Sequence, residues 1–204
     1  MELNIVSFTY LFLRLAPFVL VSFFSLASIF NQDFKGLVYL VGLLVACFIN
    51  IQLGSIISLP ESSDKSELCN MISINEGGDI SKLPLGQAVF GYTYAYLLYT
   101  IIKYNYVKQN ITTIFFFPIL IIFDIVWNVK WSCYTLIQLV ASLFFAGLFG
   151  AFWAFIVESM NNKNLQYFVG INNKEVCSAP TASTFKCGVY KNGQLISKNF
   201  ATPK

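Results

Sequence analysis

Five apolar runs, each long enough to cross a bilayer as a helix, constrain this chain more than any other feature; they lie at residues 5–30, 36–58, 85–102, 111–127 and 133–157. A hydrocarbon core of about 30 Å needs ~20 apolar residues per helical crossing, because lipid satisfies no backbone polar group. The expected fold is an all-α polytopic membrane bundle of about five transmembrane helices over residues 1–158, with a polar loop at 59–84 and a hydrophilic tail at 159–204. The first run lacks the basic n-region of a cleaved leader and is too long for one, so it is expected to stay as a span.

Composition agrees with this reading. Charged residues make up 11% of the chain, against ~25% in soluble domains. So sparse a charged exterior could not cover a soluble core built from 56% hydrophobic residues. The 21 Phe and 11 Tyr suit lipid-facing surfaces and interfacial belts. The net charge of +3 is too weak to point to a nucleic-acid partner. No histidine occurs anywhere in the chain. This excludes Ser-His-Asp triads, Cys-His dyads, phosphohistidine chemistry and most zinc-hydrolase sites.

Charge between the runs predicts the sidedness. With five spans, the N-terminus, the 59–84 loop and residues 128–132 share one side, with Lys65, Lys82 and Lys130 against Glu2, Glu61, Asp64, Glu67, Glu76 and Asp79. The other side holds Lys35, Lys103, Lys108 and six tail lysines against Asp33, Glu158 and Glu175. The positive-inside rule places the tail in the cytoplasm and the acidic loop outside or in a lumen. Asn110-Ile-Thr112 matches a glycosylation sequon, but it lies on the cytoplasmic side against a span and is expected to be unused.

Within the runs, Ala146, Gly147, Gly150, Ala151 and Ala154 form overlapping small-xxx-small pairs that let a neighbouring backbone approach. Tyr92, Tyr96 and Tyr99 share one face of the third run and bring hydroxyls that need partners. Both are expected to be packing features. Arg14 and Asp124 are charges inside spans, each costing roughly 2.5–3.5 kcal/mol at a helix centre. A structural ion pair between them is one reading, and an ion or proton path is the other.

Three segments fall in order on the non-cytoplasmic side: Gln52 through Leu59-Pro60, then Pro84-Leu85-Gly86-Gln87, then Ser132-Cys133 through Leu139 and Leu143. Their layout resembles the type-2 phosphatidic acid phosphatase and haloperoxidase superfamily, with motifs K-x6-R-P, P-S-G-H and S-R-x5-H-x3-D. The resemblance implies a catalytically degenerate scaffold. Gln52 stands for the lysine, Leu59 for the first arginine, Leu85 for the motif serine and Gln87 for the acid histidine. Cys133 stands for the second arginine, Leu139 for the nucleophile and Leu143 for the final aspartate. Pro60, Pro84, Gly86 and Ser132 alone are kept. A pocket without those cations loses the charge-assisted bonds that hold a phosphate, although Gln87 could still hydrogen-bond a lipid headgroup. Neither catalysis nor a cofactor is expected.

The tail alternates β-forming and polar residues, and Asn192-Gly193 is a strong hairpin signal between Gly188-Val-Tyr190 and Gln194-Leu-Ile196. The pattern from Cys177-Ser-Ala-Pro180 to Phe185-Lys-Cys187-Gly-Val-Tyr-Lys-Asn-Gly193 is similar to a C-terminal element of membrane proteins from large double-stranded DNA viruses. That resemblance implies a structural component of a virion inner membrane, made on host endomembrane, whose tail contacts capsid or core proteins. Cys177 and Cys187 could form a disulfide, stay reduced as a cytosolic compartment favours, or bind zinc with ligands from elsewhere. No metal site is expected within the chain. A channel or transporter built around Arg14 and Asp124 is the competing reading, and a water-filled path past Asp124 would distinguish it.

Overall fold

The structure, a computed structural model, describes residues 5–57, 69, 82–160, 165–166, 189–191 and 194–197. The backbone divides into two units, Met1–Gly170 and Ile171–Lys204. The first unit contains five helices: α1 (Ile5–Phe30), α2 (Lys35–Ile56), α3 (Leu85–Lys103), α4 (Ile111–Lys130) and α5 (Leu136–Ser159). Helices α1, α2, α4 and α5 are long and apolar enough to cross a membrane. In the second unit the described backbone consists of β1 (Val189–Lys191) and β2 (Gln194–Ser197), paired antiparallel with Tyr190 opposite Leu195 and Lys191 opposite Gln194. Asn192 and Gly193 lie outside the described residues.

Helix α3 differs from the other four. Gln87, Thr93, Thr100 and its tyrosines lower its hydropathy, and it is buried on every face through the unbroken stretch Gln87, Ala88, Val89, Phe90, Gly91, Tyr92 and Thr93. It packs against each of the other helices. The others expose apolar faces: Phe12, Phe18, Phe23 and Ile29 on α1, and Phe115, Ile119, Ile122 and Phe123 on α4. Helices that put apolar side chains outward around a more polar central helix are arranged for lipid, where polar groups gain by facing inward.

The small residues set the α3–α5 contact. A Cβ on Gly150 would lie 2.4 Å from the Tyr92 carbonyl oxygen, and one on Gly91 would lie 2.5 Å from that of Leu143. The two helices run parallel. Ser142 meets Pro84 near their N-terminal ends, while Tyr99 donates to Glu158 at 2.5 Å and Lys103 pairs with Glu158 at 3.2 Å near their C-terminal ends. They stay together over roughly 23 Å at 1.5 Å per residue. The tyrosine stripe packs inward here: Tyr92 donates to the Tyr39 carbonyl at 3.1 Å, and Tyr39 and Thr93 share a 2.6 Å hydroxyl bond.

Several boundaries differ from the apolar runs for local reasons. The fifth run is expected from residue 133, yet α5 starts at Leu136. There Thr135 and Gln138 form a capping box, with the Thr135 N–H donating to Gln138 Oε1 at 2.9 Å and the Gln138 N–H to Thr135 Oγ1 at 3.4 Å. The fourth run is expected to end at residue 127, but α4 continues to Lys130. It closes when Ser132 adopts φ 54°, with bonds from the Cys133 N–H to Asn128 O and from the Ser132 N–H to Val129 O. Gln32 and Asn105 close α1 and α3 with the same left-handed geometry. The second run is expected to residue 58, and α2 ends at Ile56.

Candidate functional site

Polar side chains inside the bundle gather around the N-terminal end of α3. Pro84 starts that helix, its φ of −68° fitting proline's fixed geometry, and no side chain caps it. One turn in, Gln87 is fully buried and donates from Nε2 to Asp124 Oδ2 at 2.6 Å. Asp124 lies on α4 with 9% exposure. Asn128, one turn further along α4, donates to the Asp124 carbonyl at 2.8 Å. Beside them Gly86 faces α1, where a Cβ would make ordinary contact with Pro17 Cγ at 3.4 Å. Arg14, one turn before Pro17 and partly buried, is near enough for its charge to act on Asp124. The hydrogen-bonded partner of the carboxylate is nevertheless the Gln87 amide, and among the described residues no ion pair joins Arg14 to Asp124.

A second bridge ties α2, α3 and α5 near this end. Asn50 donates to Ser142 Oγ at 2.9 Å, and Ser142 donates to the Pro84 carbonyl at 2.8 Å. Over the ends of α4 and α5, Cys69 and Cys133 form a disulfide. Among the described residues, four buried polar atoms nearby or along α4 have no hydrogen-bond partner: Gln87 Oε1, Asn50 Oδ1, Trp127 Nε1 and Trp131 Nε1. Leaving such an atom unpaired costs about 1–3 kcal/mol.

The structure brings together part of the expected motif set. Pro84, Leu85, Gly86 and Gln87 form the first turn of α3, and Leu139 is fully buried on α5. Gln52 is exposed on α2 and away from this interior. Leu143 presents its carbonyl to Gly91. Ser132 ends α4, and Cys133 is consumed in the disulfide. Leu59, Pro60, Cys177 and Cys187 lie outside the described residues. Among the described residues, no group of three or more His, Cys, Asp or Glu side chains could hold a metal.

Sequence reasoning missed the Cys69–Cys133 link, although a signal existed. Cys47 lies inside a span, and Cys177 and Cys187 are in the tail, which leaves Cys69 and Cys133 as the two cysteines on the predicted non-cytoplasmic side. Asn50 and Ser142 also went unremarked; polar residues inside apolar runs mark interhelical hydrogen bonds. Chemically, the layer offers one carboxylate, a nearby guanidinium, amide groups and indole N–H donors. What it could offer a partner is charge and hydrogen bonding, and the described part of it brings no thiol or imidazole nucleophile. Comparison with protein-family models, with characterised proteins and with solved structures finds no match to this chain.

Proposed function

We propose that this chain is a non-enzymatic structural protein of the inner membrane of a large DNA virus particle, with α1 to α5 all crossing the bilayer and the C-terminal tail meeting capsid or core proteins. The observation that carries the structural half of this reading is the position of α3. A channel of five helices needs a lumen, and here the central place is filled by a helix whose Tyr92, Tyr96, Leu97 and Ile101 are 0–1% exposed. Asp124 therefore ends on packed side chains toward the C-terminal end of α3. This favours a scaffold over the transporter reading.

The disulfide supports the crossing of α3 by parity. Cys69 precedes α3 and Cys133 follows α4, so a bond between them requires an even number of crossings in between. If α4, which is long and apolar enough to span, crosses the bilayer, α3 crosses with it. Disulfides persist in oxidising compartments, which agrees with the acidic 59–84 loop lying outside or in a lumen and the lysine-rich tail in the cytoplasm.

The virion half rests on the tail pattern. A short two-stranded hairpin is marginal alone and gains stability by pairing with another protein's sheet edge. Cross-linking mass spectrometry of intact particles from the tail lysines tests it. Links to capsid or core proteins are expected, and links confined to host membrane proteins would refute the assignment. One observation favours a second, compatible role as a headgroup-binding degenerate phosphatase scaffold: among the described residues, the buried Gln87 Oε1 has no hydrogen-bond partner.

A further inference from the structure

The Cys69–Cys133 bond joins two sulfurs in unlike settings. Cys133 is 3% exposed. Its backbone is set by α4 and α5: its N–H donates to Asn128 O at 2.9 Å, and Ser132 before it holds φ 54° and donates to Val129 O. The capping box of Thr135 and Gln138 follows two residues on. None of these contacts involves Cys69, so the Cys133 thiol is in place once the two helices are joined. Cys69 comes from a segment 64 residues earlier. It is partly exposed, and its sulfur lies 3.6 Å from the Trp131 carbonyl. A thiol is a weak donor to such an oxygen, so the contact keeps a reduced Cys69 beside the turn that carries Cys133.

Thiol–disulfide exchange passes through a mixed disulfide, and its rate depends on access to the sulfur involved. A mixed disulfide on Cys133 would have to fit a whole partner into a buried position, whereas one on Cys69 would not. We infer that Cys69 is the sulfur that exchanges with an external disulfide-bearing oxidant, and that Cys133 is the resolving sulfur. In the first step Cys69 gives its proton to water and the thiolate attacks one sulfur of the oxidant. A bond forms between Cys69 and that sulfur, and the oxidant's other sulfur leaves as a thiolate. In the second step Cys133 loses its proton and attacks the Cys69 sulfur. The Cys69–Cys133 bond closes, and the oxidant's first sulfur leaves as a thiolate. Two thiols of this chain give up two electrons, and the oxidant's disulfide takes both and becomes two thiols. Pinning of Cys133 by α4 and α5 favours the second step, because the attacking sulfur needs no search. The inference rests on the bond between the two cysteines and is independent of the virion assignment.

Glutathione disulfide is the probe, applied to full-length protein in detergent under native conditions. Cys133→Ser and Cys69→Ser are each made with Cys177 and Cys187 changed to Ser, so that the tail thiols do not compete. Adducts are timed by intact mass and located by peptide mapping. Cys133→Ser should gain its adduct on Cys69 at least about tenfold faster than Cys69→Ser gains one on Cys133, because a buried thiol reacts only through local opening. Denaturing both variants should bring the two rates together. Equal native rates, a faster reaction at Cys133, or no adduct on Cys69 of the folded Cys133→Ser variant overturns the inference. The unmodified chain gives a reading that needs no variant. Reduced natively, mixed with glutathione disulfide and quenched with acid, it should carry its transient adduct on Cys69, and an adduct mainly on Cys133 overturns the inference. None of these results bears on tail cross-links, so the two proposals fail separately.

Discussion

Gly150→Ala separates close backbone packing from mere small-residue composition. A methyl at this position would sit 2.4 Å from the Tyr92 carbonyl oxygen, 3.0 Å from its carbonyl carbon and 3.0 Å from its Cα. All three atoms belong to the backbone of a buried helix, so no rotamer change relieves the contact. Either α3 or α5 has to shift by more than half an ångström, which disturbs Tyr92 against Tyr39 and Tyr99 against Glu158 together. Overpacking of this kind costs about 1–3 kcal/mol. Against it, alanine gains roughly 1 kcal/mol in helix propensity. Since the clash is with backbone, the upper part of the overpacking range applies, and a net loss of about 2 kcal/mol is expected. Gly147→Ala is the control. It belongs to the same small-residue pattern, but its Cβ would meet nothing closer than 3.5 Å. It should be neutral or stabilising by up to about 1 kcal/mol. Unfolding in a graded denaturing detergent, followed by tryptophan fluorescence, measures both. Equal destabilisation by the two substitutions, or a neutral Gly150→Ala, would refute the close α3–α5 contact.

Cys133→Ser should remove a mobility shift between reduced and non-reduced gels and lower stability by at most roughly 4 kcal/mol, the chain-entropy value for the 64-residue separation of Cys69 and Cys133; thiol labelling of both cysteines in the untreated protein would contradict the bond. Ser132→Gly should stabilise by about 1 kcal/mol, because serine at φ 54° carries a steric cost that glycine lacks, and a detergent melt that fails to rise would count against this helix end. Thr135→Ala should destabilise by about 1 kcal/mol in the same melt through loss of the capping box.

The helices were legible in the sequence because hydropathy and length report what lipid demands of an exposed surface. Their order around α3 was less so. In a membrane bundle the helix that lipid does not touch is free of that demand, so polarity, and not hydrophobicity, marks the centre. Gln87, Thr93, Thr100 and the tyrosines carry this signal, but the same residues are also compatible with an ordinary span. The ends of α4 and α5 were missed for a different reason. Hydropathy follows side chains, whereas Ser132 closes α4 by backbone geometry and Thr135 opens α5 by a side-chain hydrogen bond.

The candidate site shows the same division. Charge complementarity singles out Arg14 and Asp124, but among the described residues no ion pair joins them and Gln87 donates to the carboxylate. That Gln87 would take the carboxylate depends on α3 starting at Pro84 and packing against α4, which no pairwise rule encodes. The residues kept from the phosphatase-like pattern also acquire local explanations. Pro84 begins α3 and accepts from Ser142, and Ser132 ends α4. Pro84 would be selected by this bundle whether or not a phosphatase stood behind it, so its retention carries less weight for ancestry than its place in the motif order implies. Gln87, which replaces the motif histidine, is explained in part in the same way. The bundle uses its Nε2 on the Asp124 carboxylate, and among the described residues its Oε1 has no hydrogen-bond partner. A methionine of similar volume would spare that acceptor but leave the buried carboxylate without its donor, so the donor half of the amide is what this end of the bundle requires.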